Sequence, residues 1–341
     1  MVPTDVAPPV DASTRKVFVT GSGRCGECHE KMFDEWETSA HAQSVSSELY
    51  KASVAAAKDA TCERCHAPLA SEVPRDAVVT EGVTCDVCHT LRDPKPSVDG
   101  GTWHLAIEDM VKFGPRCDLK DHYFHRMGCS PEHKTAEICG TCHWWEPKGL
   151  PVFTEYADWK AGPKHDQPCQ DCHMPKDRAA LATGSPVRTG VPHHGLLGKA
   201  KELRKTSLKM DAKLDKNRVL TVTLHNVHAA HYVPSGLPER RIVVHASIPT
   251  DDSGEKWLDE RELGRVLVDD NNKEVPFWAA TRVGSDTRIA PGGQATMTFN
   301  VPPDIKGSVR VRVEYRGLSK AVAQQLGVNA EVQVLIDRSV Q

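Results

Sequence analysis

The chain has no run of eighteen apolar residues anywhere in its 341, which excludes a membrane-spanning helix of ordinary length. It has no surplus of basic charge either. With 43 Lys and Arg against 46 Asp and Glu, the formal net charge is −3, so nothing points to nucleic acid as a partner. The opening stretch MVPTDVAPPVDASTRK lacks the charged start and apolar middle of a secretory signal; any export signal is expected to be removed or missing from this version of the chain. Cysteine is missing beyond residue 200, whereas all twelve cysteines and 13 of the 17 histidines precede it. That asymmetry predicts two domains, residues 1–200 and 201–341.

What fills the cysteine-rich part is one pentapeptide pattern in five copies: CGECH (Cys25, Cys28, His29), CERCH (Cys62, Cys65, His66), CDVCH (Cys85, Cys88, His89), CGTCH (Cys139, Cys142, His143) and CQDCH (Cys169, Cys172, His173). C-x-x-C-H is the pattern of covalent c-type haem attachment. Two thiols at that spacing add across the vinyl groups of one porphyrin, and the adjacent histidine binds its iron. Five haem c groups are therefore expected, with His29, His66, His89, His143 and His173 as proximal ligands. Zinc competes at one place, because Cys62, Cys65, Cys85 and Cys88 fall within zinc-ribbon spacing. A ribbon, however, needs no histidine after each pair, and Cys25 and Cys28 have no neighbouring pair. A thioredoxin-like redox pair lacks its βαβ frame. At about 34 residues per haem, the first part is too sparse for an ordinary side-chain core around each group, so packed macrocycles are expected to be its interior.

Cys117 and Cys129 are left over. A disulfide between them would pin the loop CDLKDHYFHRMGC, which carries His122 and His125; the alternative is two buried thiols. GSGRCG has glycines but no strand-to-helix context for a phosphate loop.

The stretch CGECHEKMFDEWETSAHAQS reads as one helix with Phe33 and Trp36 on an apolar face. His41 then lies about 18 Å along the axis from His29, at ~1.5 Å per residue, and is expected to serve a different haem. Followed by CERCH and GVTCDVCH, this stretch resembles the multihaem cytochromes related to the tetrahaem electron-transfer cytochrome of ammonia-oxidising bacteria. The resemblance implies that His41 crosses to the haem of His89 and that His104, in GGTWHLAI, returns to the haem of His29. CHAPLASE, HRMGCSPEHKTAEICGTCH, TEYADWKAGPKHDQPCQDCHMPKD and HHGLLG resemble a pentahaem subgroup that continues into a β domain. The remaining assignments are His125 or His122 for the haem of His66, His193 or His194 for that of His143, and His231 or His165 for that of His173. Met174 follows His173 directly, cannot reach round to the same iron, and is expected to pack. Paired histidines keep reduction potentials low, so mostly low-spin, bis-histidine haems are expected.

Beyond residue 200 the chain alternates apolar and polar residues in RVLTVTLHN, RRIVVHASI, QATMTFNV, SVRVRVEYR and AEVQVLI, punctuated by DDSG, DDNN and PGG. The fold class expected is a mainly irregular and α multihaem cytochrome c domain followed by an all-β, immunoglobulin-like sandwich of about seven strands. Neither acidic turn has the alternating ligand spacing of a calcium loop. Only the entry loop with His225, His228 and His231 is placed to reach a haem.

Irons with both axial positions filled bind no small substrate. The first expectation is therefore electron transfer outside the cytoplasm, in the periplasm or at the cell surface, with other cytochromes or a quinol-linked membrane redox enzyme as partners. An enzyme acting on a small nitrogen or sulfur species at one five-coordinate haem is the second. The haem of His66 is the first suspect by resemblance, since the related tetrahaem protein leaves its second haem open, although no C-x-x-C-K variant is present. The third is self-association into a cytochrome filament.

Overall fold

The computed structural model describes residues 19–73, 81–107, 109–196, 201–249, 254–305 and 307–341. The opening segment read for an export signal and the first three residues of the DDSG turn lie outside the described residues.

The first part is built from short helices, the longest of which, Glu48–Ala57, has ten residues. The helix expected to run from His29 through His41 covers only Glu30–Glu37. It stops because the chain turns at Thr38 and Ser39: Ser39 N–H donates to the Trp36 carbonyl at 2.8 Å, and the Ser39 hydroxyl accepts from Ala42 N–H at 3.2 Å. Side chains of this type offer the backbone an alternative to continuing the helix. Gly82 makes room for that turn. Its φ is +111°, and a Cβ there would meet the His41 carbonyl oxygen at 2.7 Å.

Among the described residues, three two-stranded ribbons stand between the helices, none evident from alternation. Antiparallel pairs join β1 (Leu91–Lys95) to β2 (Thr102–Leu105) and β5 (Lys176–Ala180) to β6 (Val187–Pro192). A parallel pair joins β3 (Val111–Gly114) to β4 (Arg126–Cys129). Cys117 and Cys129 form the disulfide, closing the loop between those two strands.

After the helix Lys201–Ser207 the chain becomes two antiparallel sheets. One takes the order β13 (Gln294–Asn300), β8 (Val219–Asn226), β7 (Leu208–Leu214); the other takes β10 (Glu255–Leu263), β9 (Arg241–Pro249), β14 (Val309–Arg316), β15 (Val332–Val340). Strict alternation of buried and half-buried residues along β8 and β14 follows from the period of two. The buried rows meet in a single core: Leu220, Val222, Leu224 and Phe299 from the first sheet, Val244, Ala246, Val311 and Val313 from the second. A separate hairpin joins β11 (Arg265–Val268) to β12 (Arg282–Asp286), and its Arg265 donates to the Pro151 carbonyl of the first part at 2.6 Å. Its DDNN segment is a turn, with the Asp269 carboxylate accepting from Asn271 and Lys273 N–H at 2.9 Å each. That carboxylate is used by the backbone of its own turn.

Candidate haem sites

Each C-x-x-C-H motif lies on a helical turn. Residues three and four apart on a helix share a face, so two thiols and one imidazole emerge together. His29 N–H donates to the Cys25 carbonyl at 2.8 Å and His143 N–H to that of Cys139 at 3.0 Å. Cys85–Thr90 and Cys169–His173 are complete helices, the former capped by the Thr84 hydroxyl, which accepts from Val87 N–H.

All ten motif cysteines and all five motif histidines line one continuous cavity of about 2740 Å3. A pocket for one small ligand is about 300–1,000 Å3, so this space suits several large, flat groups. No three His, Cys, Asp or Glu side chains among the described residues gather closely enough to hold a bare metal ion. Motifs distant in sequence meet through their thiols: Cys25 with Cys85, Cys65 with Cys142, and Cys139 with Cys169. The CGTCH motif is thus in contact with both the second and the fifth.

Among the described residues, four pairs of histidines face one another across this cavity at 6.2–6.4 Å. The ring centres of His29 and His125, His41 and His143, and His89 and His194 are each 6.2 Å apart, and those of His173 and His231 are 6.4 Å apart. Two imidazoles bound through nitrogen to opposite sides of one metal at about 2.0–2.1 Å have centres roughly 6.3 Å apart. Each pair contains one motif histidine, and the spacing fits a sandwiched iron.

The second ring nitrogen is held in several of these rings. The Nδ1–H of His29 donates to the Leu181 carbonyl at 2.6 Å, that of His89 to Phe113 at 2.6 Å, and that of His66 to Ser44 at 3.0 Å. His231 donates likewise to the Tyr232 carbonyl at 3.0 Å and His125, at 3.3 Å, to that of Arg126. Such bonds fix the tautomer that leaves Nε2 free for a metal. Burial keeps several of these imidazoles neutral, as ligation requires: it pushes His41 down to about 3, helped by the neighbouring His143, and His173 and His194 to about 4.

Several placements differ from the sequence expectation. His41 faces His143, not His89. His125 faces His29, not His66. His194 faces His89, while His193 is turned to Glu35, its Nε2 3.6 Å from that carboxylate, and neither meets His143. His104 sits on β2 opposite Arg92 and lines no part of the cavity. Of the rivals for the haem of His173, His231 faces it, and His165 is exposed with Nδ1–H on the Gly162 carbonyl. His122 lines the cavity mouth beside Tyr123 and Phe124. His133 approaches His89, but both its nitrogens are engaged, by the Ser130 hydroxyl and the Cys88 carbonyl at 3.0 Å each. Among the described residues no histidine faces His66 in this way; the Tyr50 ring lies 4.7 Å from it. Tyr50 and the carbonyls of Leu181, Phe113 and Ser44 escaped the sequence reading. A carbonyl carries no residue-type signal, and Tyr50 sits on a helix without a motif.

This constellation of thiol pairs, adjacent imidazoles and shared cavity defines a haem-bearing redox protein, and comparison with known proteins agrees. The family model described as cytochrome c554 and c-prime matches residues 24–90. A crystal structure of a penta-heme cytochrome c552 from Thermochromatium tepidum matches with a TM-score of 0.74 and 21% identity, over 94% of this chain and 98% of that one. No curated protein matches. The matched segment carries the first three C-x-x-C-H motifs, and the chain shares its fold with that penta-heme protein.

Proposed function

We propose that the protein carries electrons through five covalently bound haems, one on each C-x-x-C-H motif. In this reading four are held between two histidines: His29 with His125, His89 with His194, His143 with His41, and His173 with His231. The observation that supports it is the repeated 6.2–6.4 Å separation of those rings. Haem iron, once bound, supplies reversible one-electron chemistry. The chain's residues set its conditions. Carbonyls that accept from Nδ1 raise ligand basicity and orient the rings, and paired imidazoles favour low potential. Thiol contacts between the first and third, second and fourth, and fourth and fifth motifs support a reading in which neighbouring haems exchange electrons. We read the setting as periplasmic or at the cell surface, with other cytochromes or a quinol-linked membrane enzyme as partners; no described helix is long and apolar enough to cross a membrane. The strand order of the two C-terminal sheets fits an immunoglobulin-like wrapping, and we assign that unit, from about residue 201 onward, a supporting role. Haem content measured as the pyridine complex, combined with low-temperature electron paramagnetic resonance, tests the reading. It expects five haems per chain with four low-spin. Fewer than three low-spin haems would overturn it.

A second reading rests on His66, whose ring meets Tyr50 where the other motif histidines meet imidazole. A five-coordinate haem there would bind a small nitrogen or sulfur species. High-spin signal from one haem, lost on adding nitric oxide, is the expected outcome; five low-spin haems would remove this reading.

A further inference from the structure

His231 belongs to the C-terminal unit, on the connection between β8 and β9, whereas its partner His173 belongs to the fifth motif. The short segment around His231 is clamped from the other side at three points by residues 154–164. Lys164 Nζ donates to the carbonyls of Val227 and His228 at 3.3 and 3.0 Å. Gly236 N–H donates to the Glu155 carboxylate. Between them lies Arg288, whose side chain is 8% exposed and whose guanidinium covers the Tyr232 ring at 4.8 Å. Its Nη1 is 3.4 Å from both the Asp158 carboxylate and the Thr154 hydroxyl, and its Nε is 3.0 Å from Asp286. Arg265 extends the clamp, donating to Asp286 at 3.0 Å and to the Pro151 carbonyl at 2.6 Å.

The same clamp reaches His231 through backbone. Val233 and Ile289, the latter next to Arg288, exchange two hydrogen bonds of 2.9 and 2.8 Å. Asn226, buried, donates from Nδ2 to the carbonyls of His231 and Ile289 at 2.9 and 3.2 Å. Tyr232 supplies both the carbonyl that holds His231 Nδ1–H and the ring beneath Arg288. A guanidinium with fixed planar donors, itself buried, stacked on an aromatic face and paired with two carboxylates, is a rigid link. A ring in ligating geometry needs such support, since a small misplacement breaks a coordinate bond.

We infer that Arg288, bridging Asp158 and Tyr232, is a positioning residue that holds His231 against the fifth haem, so that ligation of this haem reports on the seating of the C-terminal unit. The inference rests on the reading that His231 and His173 share an iron. Breaking the bridge lets His231 withdraw and leaves the other three histidine pairs in place, because their members all come from residues before 200.

The test uses full-length, fully haem-loaded protein carrying His231→Ala, Arg288→Gln, Asp158→Asn, or Arg310→Ala as a control on the outer face of the second sheet. The readout is the low-spin haem count by electron paramagnetic resonance, with circular dichroism to confirm folding. His231→Ala is expected to convert one haem in five to high spin, and added imidazole to restore it. Arg288→Gln and Asp158→Asn are expected to convert a fraction of that same haem, also restored by imidazole, with Arg310→Ala unchanged. If His231→Ala leaves the count unaltered, the ligand assignment fails and the inference with it. If His231→Ala acts while folded Arg288→Gln and Asp158→Asn match the parent, the positioning role alone is overturned. Should either variant fold poorly, Arg288→Lys, which keeps the charge but loses the planar fork, decides on the same criterion.

Discussion

The two parts of the chain are stabilised by different kinds of interior. Among the described residues, the C-terminal sheets share one cluster of 21 buried apolar residues, with Phe299, Val244 and Val311 at or near zero exposure. The longer first part has a cluster of only five: Leu69, Val87, Leu91, Leu105 and Ile107. Around it lies the large cavity lined by thiols and imidazoles. A sheet that buries alternate residues against another gains roughly 25 cal/mol per Å2 of apolar surface and needs nothing from outside. Short helices with no shared core do not, and below a threshold of buried surface a chain folds only with covalent or cofactor help. Among the described residues the first part has little apolar core of its own beside its thiol-lined cavity, while the second is complete in its own side chains.

The strongest way to break this comparison is to withhold haem. Full-length protein made in a host without haem-attachment machinery is expected to lose protection throughout residues 19–196 yet keep a protease-resistant fragment beginning near residue 201. Limited proteolysis with mass spectrometry checks it, and equal resistance of both parts would contradict the account. The reverse experiment attacks the second core. Phe299→Ala removes a ring that is 1% exposed and is expected to cost about 3–5 kcal/mol, seen as a lower unfolding midpoint by circular dichroism. Haem absorption of the folded variant should match that of the parent.

A smaller effect comes from the disulfide. Cys117→Ser with Cys129→Ser frees the loop that carries His125, and removing such a cross-link typically costs about 2–4 kcal/mol. The loss should be local: faster hydrogen exchange at residues 117–129 and a change in the haem of His29 alone. Uniform loosening of the molecule would argue that this loop is integrated into a general core, contrary to the contrast drawn above.

How much was readable in advance follows the same division. The haem motifs were legible because their chemistry is local: five residues on one helical turn supply both thiols and an imidazole. Strands β8, β9, β13, β14 and β15 were legible because each buries one face. Strand β10, EKWLDEREL, was not, since it is an edge strand with Trp257 half exposed and charges on both sides. The three ribbons of the first part are too short to show alternation. The histidine pairing was the least accessible. His41, His125, His194 and His231 were all named as candidates, but which ring each faces depends on turns such as Thr38–Ser39 and on contacts between motifs far apart in sequence.

The smallest expected effect sharpens the comparison from the outside of the second part. Asp337 on β15 is held below the usual carboxylate range, first by its hydrogen bonds to Arg310 at 2.6 and 2.7 Å and further by Arg312 at 3.2 Å. Its folded value lies below its unfolded value, so the stabilisation is present above the unfolded value of about 3.9 and is lost as pH falls through the folded one. Because the group is partly solvent-exposed and salt-screened, that stabilisation is small. Asp337→Asn should therefore leave the midpoint at pH 7 within a degree or two of the parent, flatten the fall in stability below about pH 4, and leave haem spectra untouched. A loss at pH 7 as large as that of Phe299→Ala would mean that surface charge, not the apolar core, holds the sheets together, and the contrast between the two interiors would have to be redrawn.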